Sequence, residues 1–166
     1  MATITLQGNE IHTNGDLPPI GEKAPDFQLV NKELNRVNLS EFVGKKKIIS
    51  IVPSLDTPVC ATSSKKLDEY LTDRNDVVVL IVSADLPFAM SRFCTSESLE
   101  NIVTLSMMGS QQFAQDYGVL IQDGPLEGIT ARALVVLDAE NDIVYTELVG
   151  EIAEEPDYDA AIAALA

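Results

Sequence analysis

Short runs of apolar residues alternate with polar, turn-forming segments along this chain of 166 residues. The runs at 47–52 and 77–82 are rich in β-branched residues and predict buried central strands. The same criteria predict further strands at 27–30, 36–39, 102–105, 131–137 and 142–147. Segments with helical spacing predict helices at 58–72, 87–93, 110–117 and 157–165. Strands and helices therefore interleave from residue 27 onward.

The order of these elements predicts the topology of a sheet. Strand, helix and strand follow one another through the first half, which implies parallel strands joined by crossovers. The last two strands are separated only by residues 138–141 and predict an antiparallel hairpin. A βαβ half followed by a ββα half is the thioredoxin-like arrangement. We therefore expect an α/β thioredoxin-like fold, with a central mixed β-sheet flanked by helices.

The first 24 residues predict a small motif of their own. Two alternating segments, T-I-T-L at 3–6 and E-I-H-T at 10–13, flank Gly8-Asn9 and predict a β-hairpin that turns there. Glycine and proline residues over 15–21 then interrupt regular structure. We find no internal repeat or linker, so we expect residues 1–166 to form one domain, with the N-terminal β-hairpin (1–24) as an extension.

The last predicted helix has clear start signals. Pro156 is expected in its first turn, where the missing N–H costs nothing. Asp157 and Asp159 place negative charge near the positive end of the helix dipole. Both features favour a helix that begins close to residue 157.

Charge and composition exclude several classes of function. Eleven basic and 26 acidic side chains give a formal charge of −15, which repels nucleic acid and anionic membranes. The apolar runs are strand-sized, well short of the roughly 20 residues that span a membrane. No basic segment followed by an apolar one opens the chain, so we expect a cytoplasmic protein. The only histidine is His12, which argues against Cys-His proteases, Ser-His-Asp hydrolases and most transition-metal sites.

The segment P-S-L-D-T-P-V-C at 53–60 carries the strongest chemical signal. Thr57 followed by Pro58 predicts a helix start, with threonine at the N-cap and proline at the first helical position. Cys60 then falls at the third helical position, where a negative charge is welcome. Because the thiolate is the nucleophile, this position predicts a reactive cysteine.

The pattern alone leaves alternatives open for both cysteines. A free cysteine is often an inert buried residue, and Thr-Pro begins many helices without any chemistry. Cys94, in F-A-M-S-R-F-C, has no local feature that distinguishes it from a packed helix end. A disulfide reductase is excluded, because positions 57 and 63 are threonine and serine and no C-x-x-C is formed with Cys60.

Several motifs resemble the peroxiredoxin family. Residues 53–60 match its pattern of proline, three residues, threonine, two residues and cysteine. The form D-T-P-V-C, together with S-A-D-L-P-F-A-M-S-R-F-C at 83–94, resembles the bacterial thiol peroxidase branch, the atypical 2-Cys type. The remaining similar segments are Y-G-V at 117–119, D-G-P-L at 123–126, A-R-A-L-V-V-L-D at 131–138 and E-P-D-Y-D-A-A at 155–161. The resemblance thus extends over essentially the whole chain.

The resemblance implies a role for each of five residues. Cys60 would be the peroxidatic cysteine and Cys94 the resolving cysteine, linked to it as a disulfide after oxidation. Thr57 would hydrogen-bond the reacting oxygens and sulfur, and Pro53 would shield them from water. Arg132 would stabilise the thiolate and the peroxide. Without the resemblance, Arg132 reads equally well as a charged gatekeeper at a strand end.

The resemblance also implies the substrate, the partners and a reaction that needs no cofactor. The expected substrates are hydroperoxides, the expected reductant is thioredoxin, and the expected assembly is a homodimer; no metal, haem or flavin is required. An apolar collar for an alkyl chain is predicted from Val59, Leu86, Phe88 and Met90, although these residues read at least as well as core. Two alternatives are a peroxide-sensing redox relay with the same cysteines and a catalytically silent binding domain.

Overall fold

The structure, a computed structural model, describes residues 1–165, and of Cys60 it describes the backbone alone. Its strands are β1 (Thr3–Leu6), β2 (Asn9–His12), β3 (Gln28–Val30), β4 (Arg36–Asn38), β5 (Lys46–Ile51), β6 (Val77–Ser83), β7 (Ile102–Ser106), β8 (Ala133–Leu137) and β9 (Ile143–Leu148). Its helices are α1 (Pro58–Leu71), α2 (Pro87–Ser96), α3 (Gln112–Asp116) and α4 (Tyr158–Ala163). All the predicted strands and helices are present, with ends shifted by a few residues.

The main sheet is mixed and has the order β4-β3-β7-β6-β5-β8-β9. Strands β5, β6 and β7 are parallel neighbours, connected through α1 and α2 as the interleaved pattern predicts. Strands β8 and β9 form an antiparallel hairpin, and β8 also pairs antiparallel with β5. The thioredoxin-like fold expected from the sequence is thereby confirmed.

The two faces of the sheet bury different partners. Alternate residues of β5, β6 and β8 point to one face and pack against Leu67 of α1, Met90 of α2 and Tyr158 of α4. The other alternate residues face Ile4 and Ile11 of the hairpin and Phe113 and Tyr117 around α3. This division follows from the period of two in a strand. It places α1 and α2, which carry the two cysteines, on the same side of the sheet.

The loops that lead into the two cysteine-bearing helices lie at one edge of the sheet. Since β5, β6 and β7 are parallel, their carboxyl ends Ile51, Ser83 and Ser106 lie along the same edge. The antiparallel β8 starts at that edge, because Ala133 pairs with Ile51. The loop before α1, the loop before α2 and the residues just before β8 therefore meet there.

The hairpin prediction is correct in type, but the turn lies one residue earlier than expected. Leu6 pairs with Asn9, so the turn consists of Gln7 and Gly8, and Asn9 already belongs to β2. Gln7 and Gly8 have φ values of 51° and 83°. Positive φ at both central positions is what a type I′ turn requires, and glycine adopts it without strain. Gly8 occupies the second turn position, which has the larger positive φ of the two.

The start of the last helix also differs from the prediction. Asp157 is the N-cap, and its carboxylate accepts a hydrogen bond of 3.0 Å from the backbone N–H of Ala160. Pro156 precedes the cap and does not lie in the first helical turn. A short 3-10 helix at Leu39–Phe42 was not predicted. Among the helices formed by residues 1–165, none is long and apolar enough to cross a membrane.

Candidate active site

Helix α1 begins where the sequence predicts. Thr57 has an extended backbone (φ −125°, ψ 147°) and is the N-cap, while Pro58 is the first helical residue. Cys60 is consequently the third residue of α1, in the turn whose backbone N–H groups have no partner inside the helix. The Cys60 side chain lies outside the described part of the structure. Its backbone position is the one that favours a thiolate.

The hydroxyl of Thr57 does not cap the helix. It makes no capping hydrogen bond and instead donates to the backbone carbonyl of Ser54, at 3.3 Å. The lone pairs of the Thr57 oxygen are thus not used in capping and can accept a hydrogen bond from a bound molecule. The side chain is half-buried, at the end of the loop that precedes α1.

A carboxylate on the neighbouring loop holds the segment before α1. Asp85 accepts three hydrogen bonds: from Ser54 Oγ at 2.8 Å, from Leu55 N at 2.7 Å and from Ser83 Oγ at 2.7 Å. Pro53 and Leu55 are both buried on the same short segment. The segment that leads into the helix of Cys60 is therefore hydrogen-bonded to the carboxyl end of β6.

A cleft of about 740 Å³ lies between this segment and α2. Its lining comprises Ser54, Leu55, Asp56, Thr57, Pro58 and Ala61 on one side and Asp85, Ala89, Arg92, Phe93, Ser96 and Glu97 on the other. A volume of this size suits a small organic ligand. The lining combines apolar side chains with one cation, Arg92, and three carboxylates, Asp56, Asp85 and Glu97.

Helix α2 presents different residues to the cleft and to the core. Ala89, Arg92 and Phe93 follow helical spacing and face the cleft. Met90 and Cys94, also four residues apart, pack against the core on another side of the helix. Cys94 carries a free thiol and is half-buried. The thiol thus faces away from the cleft that the start of α1 helps to form.

Burial determines the ionisation of Cys94. Removal from water raises the pKa of the Cys94 thiol, and the opposing effects of Lys32 and of a hydrogen bond with Thr104 are smaller. Thr104, on β7, is itself buried. Near neutral pH Cys94 is therefore protonated and weakly nucleophilic while it stays in this position.

Arg132 is one of the most buried charged residues. Only 2% of it is exposed, and its Nε donates to the backbone carbonyl of Ile152 at 2.8 Å. A gatekeeper would face solvent, so that interpretation of Arg132 is wrong. Arg132 directly precedes β8 and lies at the sheet edge where β5 ends, since Ala133 pairs with Ile51.

The loop that holds Arg132 also contacts α1. Glu155, three residues after Ile152, lies 3.5 Å from Ser63 Oγ and 3.7 Å from Lys66 Nζ through its two carboxylate oxygens. The hydroxyl of Ser63 also donates to the Val59 carbonyl in the first turn of α1, at 2.7 Å. The loop at 152–155 therefore connects the arginine to the helix that contains Cys60.

The four residues of the predicted collar do not come together around the cleft. Leu86 and Phe88 are 52% and 65% exposed at the start of α2. Val59 is half-buried, whereas Met90 is 0% exposed and belongs to the core. The apolar lining of the cleft comes instead from Leu55, Pro58, Ala61, Ala89 and Phe93. Spacing along α2 did not predict this because it identifies residues that share a face but not the direction of that face.

Neither the only histidine nor a cluster of metal ligands contributes to the cleft, as far as the described side chains show. His12 pairs with Asp123 through its Nδ1, at 2.7 Å, and joins the N-terminal hairpin to the loop after α3. Across the side chains that the structure describes, no three His, Cys, Asp or Glu residues converge as metal ligands.

Sequence reasoning missed Asp85 and Arg92 as residues of this site. Both lie in the segment S-A-D-L-P-F-A-M-S-R-F-C, whose other residues attracted attention because of Cys94. The signal that marks Asp85 is an aspartate directly after a buried parallel strand, the place where loop residues meet a ligand. Nothing in its spacing indicated that the loop before α1 would be the partner.

Known proteins resemble this chain over its full length. The family model described as Redoxin matches residues 19–162. Thiol peroxidases of Mycobacterium tuberculosis (strain H37Rv) and Mycobacterium bovis are each 50% identical over 165 residues, which cover 99% of both chains in each pair.

Solved structures agree with this assignment. A peroxiredoxin-like protein from Aquifex aeolicus superposes with a TM-score of 0.91 and 39% identity, covering 98% of this chain and 95% of that chain. A thiol peroxidase from Chromobacterium violaceum gives a TM-score of 0.89 at 26% identity, with 97% and 93% coverage. The resemblance drawn from the motifs is confirmed by these relatives. Because the family model spans most of its length and its relatives match it from end to end, the chain belongs to the Redoxin family.

Proposed function

We propose that this protein is a thiol-dependent peroxidase that reduces hydroperoxides through Cys60. The observation that carries the proposal is the position of Cys60 as the third residue of α1, in a first turn whose flanking residues Thr57, Pro58 and Ala61 line the cleft. The thiol peroxidases that are 50% identical to this chain support peroxide reduction as the reaction class. Cys60, Cys94, Thr57, Arg132 and Pro53 are the residues assigned to it.

The first step is attack on the peroxide. The Cys60 thiolate attacks one oxygen of a hydroperoxide, the O–O bond breaks, and the departing alkoxide takes a proton to leave as an alcohol or water. Sulfur is oxidised to the sulfenic acid and the peroxide is reduced, so two electrons are transferred. The unpaired backbone N–H groups at the start of α1 favour the thiolate.

Thr57 and Arg132 act on the developing charge. Thr57, the N-cap three residues before Cys60, keeps a lone pair on its hydroxyl with which to accept the peroxide O–H. Arg132 is held by Ile152 through Nε, which orients the guanidinium at the sheet edge. Donors held in place before the reaction stabilise the leaving oxygen without reorganisation. Pro53, buried on the same segment, limits access of water.

The second step joins Cys94 to Cys60. The Cys94 thiol attacks the sulfenic sulfur, forming the disulfide and releasing water. A disulfide requires the two Cα atoms within roughly 7 Å and side chains directed at each other. Since Cys94 packs against the core and not into the cleft, the first turn of α1 or residues 92–95 must rearrange. Exposure on rearrangement also returns the raised pKa of Cys94 to its ordinary value, which activates the thiol.

The remaining assignments concern substrate, reductant, assembly and location. The apolar side of the cleft fits organic hydroperoxides, and hydrogen peroxide is small enough to enter as well. Leu86 and Phe88, exposed at the start of α2, remain candidates for contacting an alkyl chain. Thioredoxin would reduce the 60–94 disulfide through a mixed disulfide. We propose a cytoplasmic homodimer that needs no cofactor.

Steady-state turnover tests the proposal. Protein supplied with thioredoxin, thioredoxin reductase, NADPH and cumene hydroperoxide should consume NADPH catalytically. The Cys60→Ser variant should be inactive, whereas Cys94→Ser should form one sulfenic acid per chain and then stop. Peptide mapping of the oxidised protein should recover a 60–94 cross-link. Retention of peroxidase activity by Cys60→Ser would show that the assignment is wrong.

The same experiment separates the alternative of a redox relay. A sensor would be oxidised once per chain and would be reduced again only by passing the oxidation to a partner protein. Without that partner, NADPH consumption would stop at stoichiometric amounts. The family and its thiol peroxidase relatives favour the enzyme.

A further inference from the structure

Asp85 is placed unlike any other acidic residue around the cleft. It is the second residue after β6 and directly precedes Leu86, the N-cap of α2. Its side chain reaches across to the loop before α1 and accepts hydrogen bonds from Ser54 and Leu55. A single carboxylate therefore joins the segment that leads to Cys60 with the segment that leads to Cys94.

The position of Asp85 is itself fixed by buried serines. Ser83 Oγ donates to the Asp85 carboxylate at 2.7 Å and accepts from the Asp85 backbone N–H at 3.1 Å. Ser106 Oγ, at the end of β7, donates to the Asp85 carbonyl at 2.6 Å. Both serines are fully buried. The carboxylate thus extends from the rigid end of two central strands, the kind of support that holds a reactive geometry.

The hydrogen bonds continue from Asp85 to the reacting groups. Ser54, whose Oγ is bound by Asp85, also accepts the Asp56 backbone N–H on that oxygen at 3.1 Å. The Ser54 carbonyl accepts the hydroxyl of Thr57 at 3.3 Å. The orientation of the Thr57 hydroxyl and the start of α1 therefore depend on where Ser54 is held. Leu55, also bound by Asp85, is buried and lines the cleft.

We propose that Asp85 is a positioning residue for peroxide reduction: its carboxylate holds residues 54–57 so that Thr57 and the first turn of α1 meet the peroxide in the reactive arrangement. This inference rests on the assignment of Cys60 as the attacking residue. Asp85 itself does not touch the reacting atoms. Its removal should allow the loop to shift while the thiolate, favoured by the helix start, persists.

Two reactions of Cys60 distinguish positioning from general structural support. Attack on a peroxide depends on the arrangement of Thr57 and the loop, whereas alkylation by iodoacetamide depends mainly on the amount of accessible thiolate. Both are measured in a Cys94→Ser background, so that only Cys60 reacts. With Asp85→Ala, we expect the rate constant for hydrogen peroxide to fall about tenfold or more. We expect the rate constant for iodoacetamide to change by less than about threefold.

A matched control removes a similar carboxylate at the other end of the sheet. Asp138 follows β8 and accepts the backbone N–H groups of Glu140 and Asp142 at 3.0 and 2.9 Å. Asp138→Ala should destabilise the fold to a similar extent, measured by urea unfolding, and leave both rate constants unchanged. Asp85→Asn keeps the size of the side chain and one carbonyl acceptor, so its peroxide rate should lie between wild type and Asp85→Ala. It also provides a test if Asp85→Ala does not fold.

The outcomes separate failure of this inference from failure of the proposed function. If neither Asp85 variant slows peroxide attack by more than threefold, or if both reactions slow by the same factor, Asp85 is not a positioning residue. If Cys60→Ser in the same assay still consumes peroxide, the assignment of Cys60 is wrong and the inference fails with it. Selective loss of peroxide reactivity in Asp85→Ala, restored in part by Asp85→Asn, supports the inference.

Discussion

The Nε atom of Arg132 donates to the carbonyl oxygen of Ile152 at 2.8 Å, in a position where only 2% of the arginine is exposed. This bond joins the start of β8 to the loop after β9 and orients a buried cation at the sheet edge where β5 ends. A buried guanidinium is costly unless its hydrogen bonds are satisfied. The role proposed for Arg132, stabilisation of the departing oxygen, would account for a cation at this position.

Replacement of Arg132 by lysine should therefore impair catalysis although the charge is kept. Lysine cannot donate to Ile152 and to a peroxide in the planar geometry of a guanidinium. We expect the second-order rate constant for peroxide to fall about 10²-fold. Stopped-flow measurement of Cys60 oxidation provides the value.

A matched control exists for this substitution. Arg74, which pairs with Asp76 before β6, is partly exposed and lies at the opposite edge of the sheet. Arg74→Lys should leave the rate unchanged. Equal rates for Arg132→Lys and Arg74→Lys would contradict the role assigned to Arg132.

Thr57→Val should separate catalysis from helix stability. Because the Thr57 side chain makes no capping bond, the substitution removes only the long bond to Ser54 and should destabilise the protein by no more than about 1 kcal/mol. Peroxide reactivity should nevertheless fall about tenfold or more, because the reacting atoms lose their hydrogen bond with the Thr57 hydroxyl. Thr57→Ser should restore most of the rate. A Thr57→Val protein as reactive as wild type would remove Thr57 from the mechanism.

The ionisation of Cys94 is testable by alkylation against pH. In the Cys60→Ser variant, the midpoint for reaction of Cys94 with iodoacetamide should be higher in the folded protein than in urea, because burial raises the pKa of the thiol. Since the folded pKa is raised, the stability that the buried thiol contributes is complete below the unfolded pKa. It is lost as the pH rises through the folded pKa. Identical midpoints in both states would show that Cys94 is solvated.

Glu151 should make stability sensitive to acid. Backbone N–H groups of Ala153 and Gly8 donate to its carboxylate at 3.0 and 2.9 Å and lower the pKa from 4.5 to about 2. Because the folded pKa is depressed, this contribution is present above about pH 4.5 and is lost as the pH falls toward about 2.

The measurement is urea unfolding at pH 7 and pH 3. Glu151→Gln should lower the midpoint at pH 7 and reduce the difference between the two pH values. Glu10→Gln, the same change at an exposed position of β2, serves as the control. If the two variants respond alike to pH, the hydrogen bonds of Glu151 do not account for the acid sensitivity.

Much of this protein could be predicted because its signals are local. The period of apolar residues determined the strands at β5 and β6, and Thr57-Pro58 determined where α1 begins and hence the position of Cys60 in its first turn. Motif resemblance added the family, which the relatives confirm, and the pairing of Cys60 with Cys94, which stays a prediction. None of these conclusions required knowledge of which segments touch.

The tertiary structure alone decided how the segments meet. Local spacing cannot state which face of α2 turns to the core. Only packing revealed that Met90 is buried and that Cys94 packs half-buried against the core, while Ala89, Arg92 and Phe93 line the cleft. The bonds from Ser54 and Leu55 to the Asp85 carboxylate join residues 31 and 30 positions apart in the chain. Such contacts depend on parallel strands ending at one edge of the sheet. The sequence by itself therefore determined the start of α1 and the place of Cys60 in its first turn, and the fold determined which side chains line the cleft beside it.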